Sequence, residues 1–262
     1  MARDADTAVV IRRGPSRCTA FVGWSRSTDE FRVGQWLKGR IYERRSDISP
    51  DGKHLIYFAM NGRWQSEAKG SWTAISRAPC LTALTLLAKG DCWNGGGLFV
   101  GNDTYWLNDG YGHKVLRDEA GMQCSSDYPG AAYYGGECPG VYYLRLQRDG
   151  WVMTAYNAAA PDGVRAIFEK RINDHWTLRK IAHATIQHGV GRGCYYDTHQ
   201  LASKGGELLE RDSWEWAEVD GGRVVWAANG CLHAGWMKAD GMHGEKLLFD
   251  FSTIQFEPVK AC

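Results

Sequence analysis

Apolar and polar residues alternate along most of this chain, in short runs that end at glycine or aspartate. The stretch RRSDISPDGKHLIYF, residues 44–58, shows the pattern: an alternating run enters a Pro-Asp-Gly turn and a second apolar run leaves it. Alternation with a period of two predicts β-strands, and an Asp-Gly or Gly-Gly pair between two runs predicts a hairpin. Such pairs recur at Asp149-Gly150, Gly205-Gly206 and Asp240-Gly241. The pattern therefore predicts an all-β protein built from hairpins.

The hairpins recur at a spacing that indicates repeated units. In three units an apolar triplet begins 13 residues after the first position; in the fourth unit Glu207-Leu208-Leu209 begins there, and in the last unit the triplet begins 16 residues after it. The first positions of the units are Tyr42, Cys92, Cys138, Cys194 and Cys231. They are separated by 50, 46, 56 and 37 residues. A period of roughly 40 to 50 residues with several strands per unit indicates the blades of a β-propeller.

We predict one five-bladed β-propeller domain over residues 1–262, with blades that start near residues 42, 92, 138, 194 and 231. The last unit is too short for four strands, and the segment 1–41 is predicted to supply the missing strands from CTAFVGWS and EFRVGQWLKG. A ring closed by strands from both ends of the chain has no free edge between its first and last blades. The alternative is a β-sandwich or an irregular all-β domain whose spacings coincide by chance.

One hairpin carries a resemblance to a known family. The segment DISPDGKHLIYFA, residues 47–59, is similar to the S-P-D-G-[KR]-x-[IL] hairpin of the PD40 (WD40-like) repeats in TolB-type propellers. The other units match only in outline, since RDGWVMTAY keeps the Asp-Gly turn and lacks the Ser-Pro. The resemblance implies a propeller fold. Such propellers serve both as binding platforms and as enzyme domains, so the resemblance does not choose between these functions.

Composition and charge limit the classes of partner. The chain has 12 Trp, 12 Tyr and 32 Gly, which agrees with many short strands joined by tight turns. Its formal net charge is +1, from 31 basic and 30 acidic residues, whereas a nucleic-acid-binding protein usually has a clear basic surplus. The nearest approach to a basic cluster is Arg40, Arg44 and Arg45, which we expect on a solvated face. We therefore expect no nucleic-acid partner.

Hydropathy and the N-terminal sequence bear on location. No apolar run approaches the roughly 18 residues that cross a bilayer, so no membrane association is expected. The stretch MARDADTAVVIRRGPSR has two acidic residues before a short apolar run, which is not the pattern of a secretory signal. The resulting expectation is a cytoplasmic protein whose eight cysteines are reduced.

The cysteines at the repeat positions are expected to be structural. Cys92, Cys138, Cys194 and Cys231 share one repeat position, where a small buried side chain suits a crowded place between blades. The chain has no C-x-x-C pair, although zinc ligands usually lie two to four residues apart. We therefore expect no metal site and no cofactor.

A candidate ligand site surrounds an unusual glycine run. Gly95-Gly96-Gly97 falls inside a predicted strand, where glycine often marks a bulge or a close approach by another backbone or a ligand. Rigid aromatic side chains beside amide and acid groups suit protein interfaces and sugar rings. The candidate binding residues are Trp93, Asn94, Asn108, Asp109, Tyr111 and His113, together with Tyr133 and Tyr134 from a long loop between blades.

Two functional hypotheses follow, from different classes. The first is a non-catalytic propeller that binds a protein or peptide, alone or as a subunit of a larger assembly, because no sharp catalytic motif is present. The alternative is a glycan-active hydrolase of the five-bladed-propeller kind, which needs two carboxyl groups on either side of the scissile bond. Its candidate acids are Asp47, Asp91 and Glu137, although acids beside turns commonly cap them.

Overall fold

The computed structural model describes residues 1–14, 17–110, 112–128, 134–159, 163–185 and 193–258. Within these residues the chain forms twenty β-strands in five sheets and one α-helix, so the predicted all-β class is confirmed. The strand pairs are antiparallel except for one short parallel pair in the third sheet. The chain divides into two compact units, Met1–Arg145 with Gln255–Cys262 and Leu146–Ile254.

The first unit holds three sheets. The strands of the first sheet are β1 (Thr7–Arg13), β2 (Cys18–Ser25) and β3 (Glu30–Lys38). Those of the second are β4 (Arg40–Ile48), β5 (His54–Met60), β6 (Ser71–Arg77), β7 (Ala83–Ala88) and β10 (Lys114–Asp118), in the order β10-β7-β6-β5-β4. Those of the third are β8 (Gly97–Phe99), β9 (Thr104–Leu107) and β11 (Gln123–Ser125), in the order β11-β9-β8. Strand β10 therefore joins the second sheet after β8 and β9 have entered the third.

Both faces of the second sheet are buried, which explains the continuous apolar run in β5. Leu55, Tyr57 and Ala59 pack with Phe21 of the first sheet. Ile56 points to the other face and packs with residues of the third sheet. Successive side chains of a strand point to opposite faces, so a strand between two sheets must be apolar at every position.

The quoted Pro-Asp-Gly stretch is a hairpin, as the sequence predicts. It joins β4 to β5, which pair antiparallel. Inside the turn the Gly52 N–H donates to the Ser49 carbonyl at 2.9 Å, and the Asp51 carboxylate accepts from the Ser49 hydroxyl and the Lys53 N–H. Gly52 has a φ of +74°, a conformation that favours glycine.

The segment 1–41 does not supply strands to the last sheet. Its three strands pair with one another and form a complete sheet of their own. The last sheet is already complete, because the C-terminal hairpin pairs with the hairpin before it and gives four strands. The prediction of strands shared between the two ends of the chain is therefore wrong for these sheets.

The second unit holds two sheets of consecutive strands. The strands of the fourth sheet are β12 (Val152–Tyr156), β13 (Val164–Arg171), β14 (Trp176–Ala184), β15 (Tyr195–Ser203) and β16 (Leu208–Glu210). Those of the fifth are β17 (Trp216–Asp220), β18 (Arg223–Ala228), β19 (Cys231–Lys238) and β20 (Gly241–Asp250). The hairpins at Gly205-Gly206 and Asp240-Gly241 are confirmed. The sheets begin at β12 and β17, so neither Cys194 nor Cys231 begins a sheet.

Cys138 begins a helix and not a strand. The helix α1 (Cys138–Arg148) has Pro139 in its first turn, where the missing N–H is not needed. Val141 and Leu144, one turn apart, pack with Leu98 and Trp106 of the third sheet. The prediction failed because CPGVYYLRLQR has neither the alternation of a strand nor a strong polar face.

The Asp149-Gly150 pair ends this helix instead of forming a hairpin. The Gly150 N–H donates to the Gln147 carbonyl and the Trp151 N–H donates to the Leu146 carbonyl. These two bonds and the φ of +88° at Gly150 form a Schellman cap. An Asp-Gly pair thus serves equally well after a helix and between two strands.

Candidate binding site

A bulge in β4 positions the first component of the site. Tyr42 pairs with Phe58 and Asp47 pairs with Ile56, so the four residues between Tyr42 and Asp47 leave the ladder. Bulges re-aim side chains, and this one directs Arg45 to the segment that follows β7. Arg45 is 3% exposed, and its guanidinium carbon lies 5.1 Å from the ring centroids of both Tyr42 and Phe58. The prediction of a solvated face is therefore wrong for Arg45.

The Arg45 guanidinium holds the segment on either side of Trp93. Its Nη1 donates to the Cys92 carbonyl at 2.8 Å and to the Asn94 carbonyl. Hydrogen bonds from a charged donor are stronger than neutral ones, and here they occupy two carbonyls that flank one residue. Trp93 itself is 55% exposed. A buried cation thus holds the backbone that carries this exposed indole.

The glycine run lets this segment approach the second sheet. A Cβ on Gly96 would lie 2.0 Å from the Arg45 carbonyl oxygen, and Gly96 has a φ of +74°. Only glycine accommodates both constraints. The Gly96 N–H donates to the Thr73 hydroxyl oxygen at 2.8 Å. The glycines therefore mark a close approach by another backbone, one of the two explanations that the sequence left open.

A pair of buried asparagines joins this segment to the one after β9. The Asn94 side-chain Nδ2 donates to the side-chain Oδ1 of Asn108 at 3.4 Å. The Asn108 side-chain Nδ2 donates in turn to the Gly136 backbone carbonyl at 2.9 Å. Backbone bonds between Gly95, Gly96 and Asn108 extend the β8–β9 ladder to the same point. Trp93 and Asp109 lie on either side of this pair. We call the four residues Trp93, Asn94, Asn108 and Asp109 the Trp93–Asp109 surface.

Asp109 is held by a chain of hydrogen bonds that reaches into the second sheet. His113 Nδ1 lies 2.5 Å from Asp109 Oδ1, and His113 Nε2 lies 3.0 Å from the Thr73 hydroxyl. The carboxylate only accepts, so Nδ1 donates to it, and Nε2 of a neutral ring accepts from Thr73. Burial lowers the pKa of His113, an effect that the hydrogen bond to Asp109 opposes. The neutral imidazole therefore fits the chain of donors and acceptors.

Asp91, in contrast, is compensated by a cation. Lys89 is buried, and its amine lies 2.9 Å from Asp91 Oδ2. Asp91 Oδ1 accepts from the Trp93 N–H at 2.8 Å, so this carboxylate also caps the turn before Trp93. Both oxygens of Asp91 thus have partners.

The other candidate acids have structural partners or positions. Asp47 is 6% exposed, and its carboxylate accepts from the Phe99 N–H at 2.8 Å. Glu137 is half-buried directly before α1, and its carbonyl accepts from the Gly140 N–H. The contact of Asp91 corresponds to the turn-capping role that the sequence left open, whereas Asp47 binds the backbone of β8.

Of the predicted aromatic loop residues, Tyr134 packs into the core. The ring of Tyr134 packs edge-on against Tyr143 at 5.4 Å and contributes to the core between the third sheet and α1. Tyr134 is therefore a packing residue and not an exposed contact. Tyr111 and Tyr133 lie outside the described residues.

Three residues of the site gave no usable signal in the sequence. Thr73 is 40 residues from His113, and nothing in the alternation of β6 marks its hydroxyl as a partner. Lys89 is an ordinary lysine after a strand. The sequence predicts Arg45 on a solvated face, because a bulge cannot be recognised from alternation over so few residues.

The cysteines differ from the expectation in two ways. Cys138 is buried, but Cys92 and Cys194 are exposed and Cys231 is half-buried, so the four do not share one environment. Cys80 is disulfide-bonded, whereas we expected every cysteine to be reduced. In the described part of the chain, no group of three or more His, Cys, Asp or Glu side chains is placed to hold a metal ion. No helix of that part is long and apolar enough to span a membrane.

Comparisons with known proteins add little to this geometry. No protein-family model matches the chain, and no curated protein matches it. Among solved structures, the chain is similar to the uncharacterized protein lmo1340 from Listeria monocytogenes EGD-e, with 10% sequence identity and a TM-score of 0.31. The match covers 94% of this chain and 64% of that one, so this chain spans less than two thirds of the other protein. At this score we draw no conclusion about fold or function.

Proposed function

We propose that the chain is a β-propeller binding module of the PD40-like kind, which takes a protein or peptide partner through the Trp93–Asp109 surface. Five separate sheets, of which the first, fourth and fifth consist of consecutive strands, support the propeller, as does the SPDGK hairpin between β4 and β5. The second sheet, buried on both faces, is what a blade between two neighbours requires. The hydrolase alternative has less support, since Asp47 and Asp91 already hold backbone N–H groups.

The observation that carries this proposal is the exposed indole of Trp93 on a backbone that is held on both sides. Exposing a large aromatic side chain gives no benefit to folding, and tryptophan is among the residues that dominate binding energies at interfaces. Arg45 and the asparagine pair hold the backbone around Trp93 in one conformation. A group fixed before binding loses less conformational entropy when a partner arrives.

The test is an affinity purification of the tagged protein from the lysate of its native host, with partners identified by mass spectrometry. We expect a stoichiometric protein partner that Trp93→Ala removes. Trp236→Ala is the matched control, because Trp236 is also exposed, at 41%, and lies in the other unit. Circular dichroism must show that both variants are folded. A partner that both variants retain, or no partner at all, would contradict the proposal.

A further inference from the structure

Within the described residues, the Asp109 carboxylate of the Trp93–Asp109 surface forms no ion pair with a lysine or an arginine. Asp91 has the buried amine of Lys89 as its counter-ion, at 2.9 Å. The Arg45 charge is enclosed by the Cys92 and Asn94 carbonyls and two aromatic rings. Among the described residues, the Asp109 carboxylate has the His113 ring as its one hydrogen-bond partner, and this ring is neutral in the hydrogen-bond chain described above. The charge left at the surface is therefore negative.

The Asp109 carboxylate is also open on one side. Its side chain is 45% exposed, and only Oδ1 has a hydrogen-bond partner within the described residues. The partner on that side is a side chain that is 2% exposed and anchored to Thr73, so the carboxylate is held in orientation with Oδ2 available. Fixed acceptors of this kind bind cationic donors with charge-assisted hydrogen bonds.

The exposed indole favours the same class of ligand. Trp93 directly precedes Asn94 and Asp109 directly follows Asn108, and the side chains of Asn94 and Asn108 are hydrogen-bonded to each other, so Trp93 and Asp109 lie near one another. The face of an indole attracts ammonium and guanidinium groups, more strongly than those of other aromatic rings. The exposed indole of Trp93 and the partly exposed carboxylate of Asp109 are together complementary to a positively charged, partly apolar side chain.

We propose that the Trp93–Asp109 surface binds a basic peptide segment, whose lysine or arginine pairs with Asp109 while its neighbouring atoms pack on Trp93. This inference rests on the proposed binding function and names the chemistry of the partner. Binding consequently weakens as salt is added, because the Asp109 pair is exposed to solvent.

The experiment is a selection of random peptides displayed on phage against the immobilised full chain. Selected peptides are then synthesised, and their affinities for the wild type and variants are measured by fluorescence anisotropy. We expect selected sequences enriched in lysine or arginine, and an affinity about three- to tenfold lower for Asp109→Asn and for Trp93→Ala. Asp212→Asn and Trp236→Ala are the controls, since both residues are exposed and lie in the other unit.

The outcomes separate the inference from the proposed function. Selected peptides that lack basic residues, or that bind Asp109→Asn as tightly as the wild type, would overturn the inference and leave a binding surface at Trp93. Basic peptides that bind no better than scrambled versions of equal charge would also overturn it. If no peptide is enriched over the bare support, the proposed function itself fails for peptides.

Discussion

The guanidinium of Arg45 donates hydrogen bonds to the backbone carbonyls on either side of Trp93, those of Cys92 and Asn94. In the unfolded chain, water supplies these bonds. A buried carbonyl without a donor destabilises the folded state, and the aromatic contacts of Arg45 would be lost as well. Arg45→Met should therefore lower the free energy of unfolding by about 2 to 4 kcal/mol. Urea denaturation followed by fluorescence measures this change.

The control for this prediction is the neighbouring Arg40→Met. Arg40 is exposed, and its guanidinium carbon lies 4.5 Å from the ring centroid of Tyr42. We expect Arg40→Met to lower the free energy of unfolding by less than about 1 kcal/mol, the contribution of an exposed cation–π contact. Equal losses in the two variants would show that Arg45 does not act through the carbonyls beside Trp93.

His113 should make the stability of the protein depend on pH. Burial lowers its pKa in the folded state, whereas the unfolded chain has the ordinary value of about 6.5. As the pH falls through about 6.5, the unfolded state takes up the proton more readily, so the free energy of unfolding decreases. Asp109 favours the charged ring, as does Asp91 more weakly, while Lys89 opposes it.

The measurement compares urea denaturation of the wild type and His113→Gln at about pH 7.5 and about pH 5.5. We expect the variant to be less stable at the higher pH, because it disturbs the bonds to Asp109 and Thr73. Its further loss on acidification should be smaller than that of the wild type. An identical loss in both proteins would mean that His113 contributes nothing to the pH dependence.

At the scale of elements, the turn between β4 and β5 offers a test of backbone conformation and of packing separately. Gly52 and Gly62 have similar φ values of +74° and +70°. A Cβ on Gly52 would lie 2.6 Å from the Cβ of Thr7 in β1, whereas one on Gly62 would meet nothing within 4 Å. Alanine at either position should lower the free energy of unfolding by about 1 kcal/mol, because a side chain is strained in the left-handed conformation.

Gly52→Ala should lower the free energy of unfolding by about 1 to 3 kcal/mol more than Gly62→Ala does, because the overlap with Thr7 forces the backbone to move. Gly52→Val should lose more again, since its branched side chain tolerates this conformation least. Thermal and urea unfolding of the three variants measure the differences. If Gly52→Ala and Gly62→Ala are equally stable, the turn does not lie against β1.

The elements that the sequence predicts well are those whose alternation agrees with a turn signal. The β4–β5, β15–β16 and β19–β20 hairpins are of this kind, and each is confirmed. The sequence does not predict the helix α1, because its residues lack a strong polar face and the Asp-Gly pair after it is also a common hairpin signal. Of the site, Trp93, Asn94, Asn108, Asp109 and His113 were found from composition around the glycines. Their partners were not, because Arg45 and Thr73 lie on other strands.

For the whole molecule, the cysteines give a count that can be checked directly. The chain has eight cysteines, and Cys80 is disulfide-bonded. A titration of thiols in the denatured, unreduced protein should therefore find six, and the same titration after reduction should find eight. Finding eight thiols before reduction would show that the disulfide does not form.

A variant gives a sharper version of the same count. Cys80→Ser removes one cysteine but releases the partner of the disulfide, so the unreduced variant should show seven thiols. Cys124→Ser removes a cysteine that is already free and should show five. The opposite movement of the two counts, relative to the wild type, distinguishes a disulfide at Cys80 from incomplete reaction of the thiols.

The position of β10 has a consequence for how the chain acquires its structure during synthesis. Three sheets consist of strands that are consecutive in the chain, but β10 joins the second sheet only after β8 and β9 have been made, and β11 joins the third sheet only after β10. The first sheet can form while the rest is still being translated, since hairpins close within microseconds and residues are added far more slowly. The second and third sheets must instead mature together, once the ribosome has released the chain through residue 118 for β10 and through residue 125 for β11.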